Sequence, residues 1–179
     1  MTCFLLRRAR QYQSDALRTT AARLRMIKPA CEQRSDNLDK IRGLEGAATR
    51  IYYSAFSDLI KNPEFKFHGR NRRPPLDPVN ALLSFIYTLL TNEVLSAIKA
   101  NGLDPYMGAL HEIAYGRPSL ACDLVEEYRS FLGDRLVLGI INRKMITPDD
   151  FIYRQSPPKN FIDEKEMKEK RPVEMKPAI

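Results

Sequence analysis

His111 is one of only two histidines in the chain, and Asp123, Glu126 and Glu127 follow it within the stretch GLDPYMGALHEIAYGRPSLACDLVEEYR at 102–129. Asp123 and Glu126 stand three residues apart, a spacing that points both carboxylates the same way on a helix. One imidazole with two or three carboxylates suits a divalent ion of the Mg²⁺ or Mn²⁺ type, Mn²⁺ being the more tolerant of nitrogen, whereas structural zinc more often recruits thiolates. Each residue alone has a plainer reading. A lone histidine on a helix is usually an ordinary side chain, and a stripe of Asp123, Glu126, Glu127, Ser130 and Asp134 is usually a solvated face. The combination favours chemistry, because a tight Gly116-Arg117-Pro118 corner folds His111 back beside the first turns after Ser119.

Glu45 is a second unusual acid. It lies on the apolar stripe of its own helix between Gly43 and Gly46, glycines that cost a helix roughly 1 kcal/mol each relative to Ala and are expected to be offset by the close approach of another helix. It either pairs with a neighbouring arginine, Arg42 or Arg50, or is held by a cation, since an unpaired buried carboxylate is expensive. Lys66, His68, Arg70, Arg72 and Arg73 form the densest basic cluster outside the C-terminal tail, and Arg117 sits beside the acid stripe; arginine is the better fork for phosphate oxygens. No glycine-rich nucleotide cradle, H-E-x-x-H or G-x-S-x-G is present, so a P-loop, a zincin and a serine hydrolase have no support.

The elements that must position these residues read as helices. Residues 11–31 form one helix, with Leu17, Leu24 and Ile27 on one face and Pro29 closing it. Ser35, Asp36 and Asn37 offer caps for the next, whose stripe is Leu38, Ile41, Ala48, Tyr52, Ala55 and Leu59. The segment 61–76 is a loop with a short extended piece at 65–68. Asp77-Pro78 opens a central helix that Gly102 stops near Asn101. Asp104-Pro105 opens a short helix over 105–115 that Gly116 ends, and Ser119 opens a last helix to about Arg143. The longest apolar run, ALLSFIYTLL at 81–90, is well short of the roughly 20 residues of a membrane span and reads as a buried helix. With no sustained alternation, the expected class is all-α, a helical bundle: an N-terminal helical segment 1–34, a helical catalytic core 35–155, and a partly ordered charged tail 156–179 with several prolines.

The chain has 29 Lys and Arg against 22 Asp and Glu, a net charge of +7, so polyanions are natural partners. Cys3, Cys31 and Cys122 are odd in number and widely spaced, which argues against a disulfide framework and for a reducing cytoplasm. The apolar run before the first arginines is too short for a secretory signal.

Three blocks in order, RGLEGAATRIYYSAF at 42–56, FHGRNRRPPLDPVNALLSFIYTLL at 67–90, and GLDPYMGALHEIAYGRPSLACDLVEEYRSFLGDRLVLGIINR at 102–143, resemble the catalytic helical domain of the CRISPR-associated endonuclease/integrase, the subunit that inserts spacers into the CRISPR array. The resemblance implies an all-α fold around one divalent ion, Mg²⁺ or Mn²⁺, held by Glu45, His111 and Glu126, with Asp123 as an additional or alternative ligand. It implies DNA phosphodiester chemistry, with attack by water giving cleavage and attack by a DNA 3′-hydroxyl giving strand transfer. Lys66, Arg70, Arg72, Arg73 and Arg117 would grip double-stranded DNA, both spacer precursor and repeat. The implied partners are the small bridging subunit of the adaptation complex and a second copy of the chain. Set against that family, the sequence begins almost at the helical domain, without the N-terminal β-rich domain that contributes much of the dimer contact, and stops before the last helix. The rival expectation is therefore a catalytically incomplete DNA-binding or scaffold fragment.

Overall fold

The computed structural model describes residues 1–33, 37–153 and 172–177. The architecture is all-α apart from one short strand pair, as expected. Among the described residues six α-helices carry it: α1 (Thr2–Tyr12), α2 (Asp15–Glu32), α3 (Leu38–Ser54), α4 (Pro78–Ala100), α5 (Ser119–Tyr128) and α6 (Arg135–Asn142). The single helix expected over 11–31 is instead two. Gln13 turns left-handed at φ 50°, and the Ser14 hydroxyl caps the second helix by accepting from the Leu17 amide. Pro29 does not close α2, which runs one further turn to Glu32. Near a C-terminus a proline forfeits one hydrogen bond without stopping the turn that follows it. The α1–α2 pair buries Leu5, Ala9, Leu17 and Ala21 completely.

Asn37 caps α3 by accepting from the Lys40 amide at 3.0 Å, while the alternative caps Ser35 and Asp36 lie outside the described residues. The expected stripe is buried only toward its end. Leu38 is exposed, and the packing is done by Tyr52, Phe56 and Leu59, with Tyr53 beside them. Asp77 caps α4 through the Asn80 amide at 2.8 Å, and Gly102 ends it at φ +70°. By length and composition α4 could cross a membrane. Its first two turns are instead buried in the protein, and Asn80 inside them is wholly enclosed in hydrogen bonds to Arg70, Asn71, Gly69 and Asp77. These bonds tie the basic loop to the helix.

The last helical ribbon runs unbroken from Ser119 to Asn142, but its middle, Arg129–Asp134, is wound as a π-helix between α5 and α6. Gly133 in that segment lies against the Tyr87 ring, where a Cβ would meet Cε1 at 2.8 Å. Two three-residue strands, β1 (Phe151–Tyr153) and β2 (Val173–Met175), pair antiparallel with Ile152 opposite Glu174. Phe151 and Val173 enter the core. Of the expected tail, 156–179, residues 156–171, 178 and 179 lie outside the described residues.

The helix expected over 105–115 is absent: the chain crosses 103–118 in turns. The amides of Ala109, Leu110 and His111 donate to the Asp123 carboxylate rather than to carbonyls four residues back. A local helix signal loses to a charged acceptor that a distant element brings alongside. His111 therefore sits in an irregular strap, not mid-helix.

Candidate active site

Three elements supply the candidate ligands: α3 carries Glu45, the strap carries His111, and α5 carries Asp123 and Glu126. Arg42 joins the first two. Its Nε and one terminal nitrogen both donate to the Leu110 carbonyl, at 2.9 and 2.7 Å, and the other terminal nitrogen donates to Glu112 at 2.8 Å. The hydrogen bonds to Glu112, outweighing some desolvation, raise the guanidinium above its ordinary range. Arg42 thus clasps the strap on both sides of His111. Among the described residues neither Arg42 nor Arg50 pairs with Glu45, the plainer expectation for that acid. Gly43 and Gly46 do not answer to a close helix either, since a Cβ at each would meet nothing within 4 Å.

The acid stripe on the last ribbon is solvated only in part: Glu127 is exposed, but the other three acids are not. Asp123 is 12% exposed, Glu126 26%, and Asp134 1%. Asp123 accepts four hydrogen bonds: Oδ2 from the amides of Ala109 (2.6 Å) and Leu110 (2.9 Å), and Oδ1 from the His111 amide (3.0 Å) and ring Nδ1 (2.6 Å). Burial pushes its carboxyl up, but the His111 bond and the three amides outweigh that and hold it below the ordinary range. Gly108 is what lets Asp123 come so near, because a Cβ there would stand 2.7 Å from the His111 carbonyl oxygen and 2.9 Å from Asp123 Oδ2.

Glu126 is held by Arg129 one turn on. Burial pushes the Glu126 carboxyl up, Arg129 pulls it down, Glu45 pushes it up again, and Arg72 and His111 lower it. Glu45 and His111 are thus both within electrostatic reach of one half-buried acid. As the side chains stand, no three His, Cys, Asp or Glu residues among the described ones are gathered tightly enough to enclose a metal ion. The donor types nevertheless fit one. They are an imidazole engaged at Nδ1 and two carboxylates, of which Glu45 raises the cost of ionising Glu126, an oxygen and nitrogen set of the kind hard divalent ions take.

Behind these acids lies a buried polar knot that spacing alone does not disclose. Tyr52 donates to Asp134 at 2.8 Å, Tyr87 donates to its other oxygen, and the Tyr53 and Tyr87 hydroxyls bond each other at 2.6 Å. The knot fastens α3 and α4 to the π-helical segment, and so fixes the Glu45 helix against the Glu126 ribbon. Burial raises the Asp134 carboxyl, with the tyrosine bonds and the charges of Arg129 and Arg70 opposing. Burial likewise pushes Tyr53 up to about 12.

The basic residues divide into two groups. Arg70 is structural: its guanidinium donates to Asn80 at 2.8 Å and Ser84 at 3.2 Å and stacks over Tyr87, and burial lowers it below the usual arginine range. Arg117 donates to the Glu112 carbonyl and closes the corner before α5. Lys66, Arg72 and Arg73 are exposed. A cavity of about 550 Å³, lined by Thr49, Arg50, Tyr53, His68 and Arg72 among others, opens beside them with no acid in its wall. Thr49 and Tyr53 also line the narrow crevice that holds Glu126, so the basic cavity and the acid site adjoin. Arg50, four residues beyond Gly46, also lines this cavity, a place that the loop-centred basic cluster of the sequence did not include.

The chain matches the family described as "CRISPR associated protein Cas1" over residues 1–170. It is 49% identical over 139 residues to CRISPR-associated endonuclease Cas1 1 of Chlorobaculum tepidum, covering 76% of this chain and 39% of that protein. It is 47% identical over 156 residues to CRISPR-associated endonuclease Cas1 1 of Moorella thermoacetica, covering 84% of this chain and 45% of that one. Among solved structures, a Cas1 protein from Thermotoga maritima superposes with a TM-score of 0.72 at 31% identity, over 98% of this chain and 52% of its own. A casposase bound to integration product superposes with a TM-score of 0.65 at 33% identity, over 79% of this chain and 36% of its own. The chain therefore spans about half or less of the length of these relatives. The helical bundle, the three sequence blocks and the whole-length family match agree, and the chain belongs to the CRISPR-associated Cas1 family.

Proposed function

We propose that the chain is the catalytic helical part of a divalent-metal-dependent DNA endonuclease and integrase of CRISPR spacer acquisition, with Glu45, His111 and Glu126 as metal ligands. The observation that carries this reading is the convergence on Glu126: residues from three elements far apart in sequence act on one half-buried carboxyl. The charge of Glu45 acts against ionisation of the half-buried Glu126, the electrostatic condition that a divalent cation relieves. A bound Mg²⁺ or Mn²⁺ would stabilise charge on the attacked phosphate and favour attack by water or a 3′-hydroxyl.

The chain's own residues do the rest. Arg42 holds the strap that carries His111, and Arg129 neutralises Glu126 when no cation is present. Arg50, His68 and Arg72 around the adjoining cavity, with Lys66 and Arg73 outside it, grip the phosphates of double-stranded DNA from the spacer precursor and the repeat. Arg70 and Arg117 serve the interface indirectly, by shaping the loop and the corner. A second copy of the chain and a small bridging subunit complete the assembly, consistent with the Cas6-RT-Cas1–Cas2 complex, one chain of which superposes with a TM-score of 0.79 at 29% identity. The cytoplasm is the corresponding place of action.

The test is nicking and strand transfer on labelled DNA with Mn²⁺, with and without the bridging subunit. Glu45→Gln, His111→Ala and Glu126→Gln should each abolish both reactions. Activity that survives chelation, or is unchanged in His111→Ala, refutes the ligand set. A second reading, a DNA-binding or scaffold protein without chemistry, draws on one fact: Glu126 is engaged by Arg129. Salt-sensitive DNA binding with no metal-dependent product under any of these conditions would favour it.

A further inference from the structure

Asp123 stands at the spacing of a ligand, yet its hydrogen bonds describe another role. A carboxylate has about four lone-pair sites, two on each oxygen. Here Oδ2 accepts from the amides of Ala109 and Leu110, and Oδ1 accepts from the His111 amide and meets the His111 ring at Nδ1. All four sites are occupied by protein donors. Three successive amides aimed at one carboxylate form an anion nest. It is closed on its open side by the imidazole itself.

We propose that Asp123 is not a metal ligand but the positioning residue of His111, holding the neutral ring as the Nδ1–H tautomer so that the Nε2 lone pair is the one left for a metal ion. An ionised acceptor 2.6 Å from Nδ1 requires a proton on that nitrogen, because two acceptors cannot face each other at that distance. The neutral ring then carries its lone pair on Nε2. The same carboxylate fixes the backbone of 109–111, so ring orientation and strap position are set by one group. Gly108 leaves room for it and Arg42 braces the strap from the other side. This arrangement is the carboxylate–histidine pairing that orients imidazole ligands, and loss of such a partner commonly lowers metal affinity about 10–100-fold.

The consequence for Mn²⁺ rests on the proposed ligand role of His111; the tautomer does not. The chain has two histidines, so ¹⁵N-histidine labelling gives two ring systems, and His68→Gln assigns them. In the metal-free protein at a pH where the ring is neutral, long-range ¹H–¹⁵N correlation should show His111 with a protonated Nδ1 and an unprotonated Nε2, the reverse of the form that free histidine prefers. In Asp123→Asn the amide nitrogen can donate to Nδ1, which moves the ring proton to Nε2; the equivalent exchange beside a catalytic histidine is known to set the wrong tautomer. Mn²⁺ affinity, measured by titration, should fall about 10–100-fold in that variant, with the His68 signals unchanged as the check on folding. A wild-type ring protonated on Nε2 overturns the proposal, and needs no variant to be seen. So does an Asp123→Asn protein that loses Mn²⁺ while keeping the Nδ1–H form, since Asp123 would then be a ligand itself. Wild-type protein with the Nδ1–H tautomer but no Mn²⁺ binding would remove the ligand reading of the site and leave the positioning of His111 in place.

Discussion

Replacing Gly108 by alanine puts the geometry of the strap to a direct test. A Cβ at 108 would stand 2.7 Å from the His111 carbonyl oxygen, 2.7 Å from the Ser119 Cβ and 2.9 Å from Asp123 Oδ2. Ordinary contacts begin near 3.4 Å, so at least one of three groups must retreat by about 0.5–0.7 Å. None is the free end of a long side chain. The Ser119 Cβ belongs to the first turn of α5, the carbonyl belongs to the strap that Arg42 clasps, and Asp123 Oδ2 is held by two amides. Overpacking of this kind costs about 1–3 kcal/mol, and if Oδ2 yields, the bonds from Ala109 and Leu110 lengthen with it. Because the tyrosine knot around Asp134 shares no residue with the strap, the loss should fall on His111 more than on the bundle. Urea unfolding should show a decrease of about 1–3 kcal/mol, and Mn²⁺ titration a loss of about tenfold or more. Gly43→Ala and Gly46→Ala are the controls: nothing lies within 4 Å of either Cβ, and each should gain about 0.5–1 kcal/mol from helix propensity. A Gly108→Ala protein as stable as wild type, with wild-type Mn²⁺ affinity, would show that the strap does not sit as described.

Arg42→Ala should lower Mn²⁺ affinity and strand transfer together, by about tenfold, and Arg42→Lys should restore little, because one ammonium cannot reproduce the forked bond to the Leu110 carbonyl along with the Glu112 pair. Full recovery in the lysine variant, read by the same titration, would mean that charge alone is needed. Tyr52→Phe leaves one buried Asp134 oxygen short of a donor and should cost about 1–3 kcal/mol in urea unfolding; a loss under 0.5 kcal/mol would contradict the knot. Asp134 also predicts a pH dependence. Its folded carboxyl is raised above the unfolded value, so its contribution is full below the ordinary aspartate range, about pH 4, and is lost as pH rises through the folded value. Wild type should therefore lose stability relative to Asp134→Asn from pH 4 to pH 7, and a relative gain would reverse the assignment. Finally, Arg50→Gln and Arg72→Gln should each reduce the salt dependence of DNA binding by about one unit of slope, measured by anisotropy between low and moderate salt; slopes equal to wild type would take the basic cavity out of the DNA path.

The parts of this chain that its sequence makes legible are those with local causes. Asn37, Asp77-Pro78 and Gly102 act within three or four residues, and the helices they bound are where capping chemistry puts them. The helix that does not form over 105–115 follows a different rule. Whether the amides at 109–111 close a helical turn or a nest depends on a carboxylate on another element, and no window over 105–115 contains it. Likewise Asp134 reads as one more acid on a solvated stripe until Tyr52, 82 residues away, and Tyr87, 47 away, enclose it. Arg42 reads as a partner for Glu45, three residues on, and instead reaches the Leu110 carbonyl across 68 residues.

The same division separates two acids that the sequence could not rank. Asp123 and Glu126 have the same spacing argument, and both face His111 from one helix. What distinguishes them is what else reaches each carboxylate. Asp123 is filled by three amides and a ring nitrogen, an environment that favours the ionised form and leaves no lone pair for a cation. Glu126 meets a flexible arginine, a second carboxylate within electrostatic reach and partial burial, an environment that disfavours the lone ionised form and that added positive charge would relieve. A carboxylate already saturated with fixed donors is built to hold a position. One engaged by an arginine that a cation could displace is, on the proposed assignment, the acid that receives the ion, and the two lie three residues apart on α5.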